Sequence, residues 1–399
     1  MKSVNEVNSP LKHKTSIFLF FLIIISFPIS DKIFLFLRLQ DFFVLIFIFL
    51  NIFLLKKIEI KFIILTFLIL CTTNIIGYIY FENFYHEKIA MFYKIIIPII
   101  FFFQIEKILN EENYFKIEKY IDITFIIFLS ILFFGYVYKI KIIDLPIQPG
   151  SLIIGDQYSN DRHLISLMVC IYFGLKFIIN LRLKNYLNNF ILLIIFFIMM
   201  NLFESRVFTI FLLALVYLQL NEILLFNRFK KIWQILFYLS IFLFFTFFIS
   251  KDFQSLRYLQ FYEFNIFKYL IDYQIVDVGP HANRITSFFS VLPENLLLLF
   301  SGIGFIHYPF PFLDNGVLFL ITTFGILPFI YLINYFNKNF KYFSNIDFSL
   351  SIILIIAVLI NLIVAEFFLV SRFIFVTLIM IKISSIKSKL LFSENINNN

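Results

Sequence analysis

The sequence predicts an all-α, polytopic integral membrane protein with about twelve transmembrane helices and one large extracytoplasmic loop. Three observations predict it. The 399 residues are 61% hydrophobic and only 15% charged, where a soluble chain carries roughly 25% charge. Runs such as Ile241-Phe242-Leu243-Phe244-Phe245 are apolar on every side, so the alternation of a transmembrane β-barrel is missing. A bilayer core of about 30 Å is crossed by roughly 20 apolar residues in a helix, and a helix satisfies its own backbone groups there.

The predicted spans run at about 16–30, 39–55, 60–80, 89–105, 121–138, 163–180, 187–203, 207–226, 232–250, 314–335, 348–365 and 370–386. The first is short, holds Pro28 and follows a polar, basic start. No small-residue cleavage pattern follows it, so it reads as a membrane helix and not as a signal peptide. Spans 16–30 and 39–55 are also compatible with one broken element. The chain 1–399 reads as a single membrane domain, with 251–313 as the extracytoplasmic loop within it. Eighteen Lys and Arg gather in one set of alternating short loops, including 56–61, 107–119, 228–231 and 387–389, against twelve in the opposite set. The positive-inside rule then puts both termini in the cytoplasm.

The net charge of +8 is spread over these loops as topology requires, so no nucleic-acid partner is expected. Cys71 and Cys170 both fall inside apolar spans and offer neither a disulfide framework nor a metal spacing. No phosphate-binding loop, metal-binding helix pair or dinucleotide fingerprint occurs. No cofactor and no metal are expected. Abundant Phe, Ile, Lys and Asn read as the drift of an AT-rich genome and hint at a bacterial source.

The residues able to carry chemistry all fall on the predicted outer side. Glu204-Ser205-Arg206 interrupts two strongly apolar spans. Arg206 either anchors a helix end beside Glu204 or presents a guanidinium to an anion, for which its planar fork is suited. Asp161-Arg162-His163 opens the sixth span; Asp161 fits a helix cap, and Arg162 fits either the headgroups or a phosphate. In the long loop, His281 and Arg284 share a face if that segment is helical. The apolar stretch that follows, broken by Pro293, reads as interfacial or re-entrant. Ser301-Gly302-Ile303-Gly304 makes a turn before His307 and the helix start at Asp314.

In this order the residues resemble the bacterial O-antigen polymerase (Wzy-like) and O-antigen ligase superfamily. The resemblance lies in Ser205-Arg206 opening a mid-chain helix and a large late outer loop. It continues with Arg284 ahead of Gly302-Ile303-Gly304, then Asp314-Asn315-Gly316 and Gly325. It covers mainly 156–328. Val207 follows the Ser-Arg where glycine is common, and Asp314-Asn315 stands where the ligase branch carries His, which favours the polymerase branch. The resemblance implies a glycosyltransferase of the cytoplasmic membrane that joins undecaprenyl-diphosphate-linked oligosaccharide units on its outer face. A chain-length regulator and a flippase are its implied companions. Arg206, Arg284 and Arg162 are expected to hold the diphosphate, with His281, His307 or Asp314 as general base. Arginines in a low-dielectric cleft can neutralise a diphosphate leaving group without a metal, and attack opposite that group inverts the sugar. The alternatives are an O-antigen ligase using lipid A core as acceptor and a polysaccharide flippase or other transporter.

Overall fold

The computed structural model describes residues 10–26, 32–34, 37–138, 159–203, 211–212, 214–219, 300–306, 316–340 and 371–397. Among these residues the fold is all-α apart from one two-stranded hairpin. The helices are α1 (Pro10–Ile25), α2 (Leu39–Asn51), α3 (Lys57–Phe81), α4 (Ala90–Ile108), α5 (Tyr114–Tyr138), α6 (Ser159–Arg182), α7 (Tyr186–Phe203), α8 (Gly316–Phe324), α9 (Ile326–Phe340) and α10 (Ser371–Asn397). The hairpin, β1 (Lys32–Phe34) and β2 (Leu37–Arg38), links α1 to α2 and pairs Lys32 with Arg38.

Long-range contacts set the direction of each helix. Ser16, early in α1, donates to Asn51 at the end of α2, while Gln40 at the start of α2 donates to the Ile23 carbonyl late in α1. The two are therefore separate antiparallel helices, and the broken-element alternative fails. Gln104 of α4 donates to the Ile48 carbonyl, so α2 and α4 run in parallel. Phe62 meets Phe103 and Phe67 meets Phe92, setting α3 antiparallel to α4. Phe62 also meets Phe340 at the end of α9, while Gly304 and Gly302 join Asn74 late in α3 to Gly325 at the start of α9, setting α9 antiparallel to α3. Tyr172 stacks on Phe125 at 4.1 Å while Lys176 reaches back to Glu118, setting α6 antiparallel to α5. Phe375 of α10 meets Phe101 while Lys382 reaches Glu106, so α10 runs parallel to α4, and α1, α3 and α5 run one way, with α2, α4, α6, α9 and α10 the other.

Two cores share α4 as a common wall. The larger collects α1, α2, α5, α6 and α10 around Phe20, Phe47, Phe101, Phe125 and Phe375. The smaller joins Phe62 and Leu70 of α3 to Phe305, Ile306, Phe324 and Leu332.

The outward faces invert the pattern of a water-soluble bundle. Helix α3 buries Glu59, Thr66, Thr73 and Asn74, yet exposes Ile64, Phe67, Leu68, Ile75 and Ile79. Steps of seven, or of three or four, with adjacent residues beside them, place each set as a stripe on one side of the helix. Helix α5 likewise buries Glu118 and Thr124 and exposes Phe115, Ile123, Ile126 and Ile127, and α2 buries Gln40, Asp41 and Asn51 while leaving Phe49 76% exposed. Among the described residues, Lys57–Phe81 is the one helix long and apolar enough to cross a membrane by length and composition; Lys14–Ile25, Leu39–Leu54 and Tyr186–Phe196 are shorter apolar stretches.

The span expected at 314–335 departs from the sequence reading. It is two helices, α8 and α9, meeting at Gly325, whose φ is +78°. Gly325 ends α8 in the left-handed conformation that glycine adopts without penalty, its N–H closing on the Ile321 carbonyl at 2.8 Å. Phe329 N–H then bonds the Gly325 carbonyl and opens α9. Only part of the expected span 207–226 is described, and spans 232–250 and 348–365 lie outside the described residues.

Candidate functional site

The polar chemistry of the described bundle divides between its two ends. At one end, the starts of α3 and α5 meet the last turn of α4, the C-terminal part of α6 and the middle of α10. Glu59 pairs with Lys107, Glu106 with Lys382, and Glu118 with both Lys176 (2.6 Å) and Lys387 (2.9 Å). Lys176 also reaches Asp122 at 2.9 Å, and the Tyr172 hydroxyl donates to the same carboxylate. Burial pushes the Glu118 carboxyl up, but Lys176 and Lys387 together pull it further the other way, leaving it below the ordinary carboxylate value. It stays ionised and fully engaged, so this cluster joins helices and offers no spare base.

The opposite end is held by backbone fit. Segment 300–306 enters the smaller core beside Asn74, about 22 Å along α3 from Glu59 and roughly two turns short of the end of α3. Gly302 through Ile306 are buried without being helical, so each of their peptide groups needs a partner inside the protein. The Ile303 N–H donates to the Thr322 carbonyl at 2.8 Å, one of the last four carbonyls of α8, which lack intrahelical donors. The Asn74 Oδ1 accepts from both Phe305 N–H and Ile306 N–H at 2.9 Å. Its Nδ2 donates to the Leu70 carbonyl at 2.7 Å. The Ile306 carbonyl accepts from Tyr85 N–H, in the turn between α3 and α4. A buried N–H left without such a partner costs about 1–3 kcal/mol.

Glycine is required where this segment touches its neighbours. Gly302 has φ +81°, and a Cβ there would lie 2.5 Å from the Gly325 nitrogen; a Cβ on Gly325 would lie 2.5 Å from the Phe300 oxygen. The two backbones cross with no room for a methyl group. At Gly304 (φ +70°) the space of a side chain is already filled by Asn74, with Cγ at 2.5 Å. Phe305 completes the joint against the ring of Phe92 at 4.9 Å.

Of the residues singled out in the sequence, Gly302, Gly304 and Gly325 are brought together here. Arg162 lies in α6 with its side chain outside the described residues; Arg206, His281, Arg284, His307 and Asp314 lie outside them altogether. His307 follows Ile306 directly in the chain. The sequence reading passed over Asn74, although a polar Thr72-Thr73-Asn74 run inside an apolar span was a usable signal, and over Lys176 inside span 163–180, where a charge within apolar residues marks a partner. Among the described residues, no group of three or more His, Cys, Asp or Glu is placed to hold a metal ion. No protein-family model, curated protein or solved structure matches the chain.

Proposed function

We propose that the chain is a polytopic membrane protein of about twelve helices that joins lipid diphosphate-linked oligosaccharide units on the outer face of the bacterial cytoplasmic membrane, in the manner of the O-antigen polymerases. The observation that carries the membrane part is that α2, α3 and α5 bury polar residues such as Gln40, Asn74 and Glu118 among their apolar contacts while turning aromatic and aliphatic residues such as Phe49, Ile79 and Ile126 outward. Water would penalise that arrangement on both sides, whereas lipid favours it.

The transferase part is supported by the buried segment 300–306. Non-helical backbone at membrane depth is tolerated only when wrapped in protein or lining a cavity, and this segment leads straight into His307 and Asp314. It also unites the glycines whose order first suggested the family. In the proposed reaction Arg206, Arg284 and Arg162 bind the diphosphate and neutralise the charge that grows on it as the sugar–phosphate bond breaks. The acceptor hydroxyl loses its proton to His281, His307 or Asp314 and attacks from the opposite side, inverting the anomeric carbon. The arginines supply the positive charge, so no metal is required. The lipid tail of the donor lies between helices.

A transporter is the second reading, favoured by the break between α8 and α9, since discontinuous helices often carry transport sites. One experiment separates the two. In cells lacking their own copy, Arg206→Lys and Arg284→Lys should each abolish long polymer while the protein stays in the membrane, because lysine keeps the charge and loses the bidentate fork. Normal polymer from both variants would reduce the arginines to interfacial anchors. A wild-type chain that moves the lipid-linked unit across vesicles without lengthening it would favour transport.

A further inference from the structure

We propose that the groove between α1 and α5 is a seat for one anionic phospholipid, its acyl chain lying in the groove and its phosphate held by Lys14 and Lys116. The inference rests on the membrane part of the proposed function and is independent of the transferase part.

The groove is built by two helices that run the same way. Phe21 of α1 meets the ring of Tyr120 of α5 edge-on at 4.9 Å. Beside this contact lies a space of about 210 Å³, walled by Phe21 and Ile25 on one side and by Tyr120, Ile123, Thr124 and Ile127 on the other. The α5 residues follow steps of three and four, so they form one stripe, about 10 Å long from Tyr120 to Ile127. Ile25, Ile123 and Ile127 are 45%, 45% and 52% exposed, so the groove opens outward along its length. An elongated apolar cleft on the outside of a helix pair takes a hydrocarbon chain, because an unfilled cleft forfeits dispersion contacts that a packed chain restores.

The charge stands at one end of this groove. Following the α5 stripe back one turn from Tyr120 reaches Lys116, and following the Phe21–Ile25 line of α1 back two turns reaches Lys14. Both lysines are exposed. Lys107, Lys176, Lys382 and Lys387 at the same end of the bundle reach carboxylates, whereas Lys14 and Lys116 enter no ion pair among the described residues. Because α1 and α5 are parallel and Phe21 is level with Tyr120, both lysines lie within about two turns of the same end of the apolar wall. The exposed Glu111 and Glu112 belong to the turn before α5 and stand farther from the groove than Lys116.

Two exposed cations at one end of an apolar slot match a molecule with an anion at its head and hydrocarbon behind it. That molecule is an anionic phospholipid of the leaflet on this side, where loop charge puts the cytoplasm. A zwitterionic headgroup carries its own ammonium beside the phosphate and gains less from the lysines.

The test uses the full chain purified in detergent, with retained lipids counted by native mass spectrometry. Phosphatidylglycerol and phosphatidylcholine with the same acyl chains are offered at equal concentration. The wild type should retain one phosphatidylglycerol with a preference of about tenfold, the order expected of two lysines beside an anionic headgroup. Lys14→Gln combined with Lys116→Gln should reduce the preference to about twofold or less, and raised salt should do the same. Ile123→Trp fills the groove from an exposed position and should remove the retained lipid with both lysines in place. Ile127→Trp stands in if that variant is not monodisperse. Amide hydrogen exchange of peptide 300–306, in the smaller core, should be unchanged in every variant and serves as the fold control. Equal retention of the two lipids by the wild type would overturn the headgroup seat, and unchanged retention in both tryptophan variants would place the lipid elsewhere and overturn the groove. A lipid-free dimer that Ile123→Trp dissociates would put a second copy of the chain in the groove and refute the lipid. Failure of the seat in a chain that requires detergent leaves the membrane reading standing; a wild type that stays monodisperse without detergent would sink both.

Discussion

The two ends of the bundle are built on opposite principles although α3 and α4 reach both. At the Glu118 end, five helices are joined by lysine and carboxylate side chains that are long, flexible and partly reached by solvent. At the Gly302 end, the elements touch through backbone, with Gly302 against Gly325 and Gly304 against Asn74. A charged side chain can swing to follow a partner displaced by an ångström. A peptide group in contact with another cannot. The charged end therefore sets which helices lie together, and the glycine end sets where one segment sits to within a bond length.

The comparison breaks most sharply at Gly325. Gly325→Ala sets a methyl group against the Phe300 oxygen and the 301–302 backbone, in a residue whose φ is already +78°. The neighbouring atoms are main chain and cannot turn aside. The expected cost exceeds about 3 kcal/mol, visible as loss of a monodisperse peak in detergent size-exclusion chromatography. A well-behaved Gly325→Ala protein would show that the joint is looser than its geometry.

Next in size is Glu118→Leu, which leaves Lys176 and Lys387 facing each other without their shared carboxylate. Removing one member of a buried pair costs about 3–5 kcal/mol; the lysine side chains are about a quarter exposed, so about 1–3 kcal/mol is expected here. The loss should appear as a lower thermal midpoint with little change in the exchange of peptide 300–306. The same carboxylate sets a pH dependence. Its folded pKa lies below the ordinary 4.5, so its stabilisation is complete above that value and is lost as pH falls through the lower folded one. Glu118→Gln should flatten that acid limb of a midpoint-versus-pH curve. An unchanged limb would assign the acid lability elsewhere.

The smallest effect is expected at Lys382–Glu106, whose side chains are 15% and 23% exposed. Lys382→Met should cost about 1 kcal/mol, since it removes one pair and leaves a carboxylate that is 23% exposed and still reaches solvent. A larger loss would mean that this end depends on each pair separately and not on the Glu118 cluster.

Much of the helical framework was legible from runs of apolar residues. Span 60–80 matches α3, 89–105 matches α4 and 187–203 matches α7, because a long apolar run has few ways to satisfy its backbone other than a helix. Helices α5 and α10 extend beyond their predicted spans, into 114–120 and 387–397, because charged residues there remain helical while pairing with neighbours. The break at Gly325 was hidden for the opposite reason. Ile326 and Leu327 continue the apolar run, and one glycine inside such a run is compatible with an unbroken helix. What ends α8 is the backbone of 300–302 lying across it.

The sequence by itself determined the helical class and marked Gly302 and Gly304 late in the long loop and Gly325 in the apolar run after it. Those follow from local chemistry: apolar length and the conformational freedom of a residue without a Cβ. Only the tertiary structure decided that Gly302, Gly304 and Gly325 serve one joint, that Asn74 closes it, and that Glu118 gathers lysines from α6 and α10. Asn74 and Phe305 are separated by 231 residues. No local pattern records such a meeting, because a polar group inside an apolar helix shows that a partner is needed but not which segment supplies it.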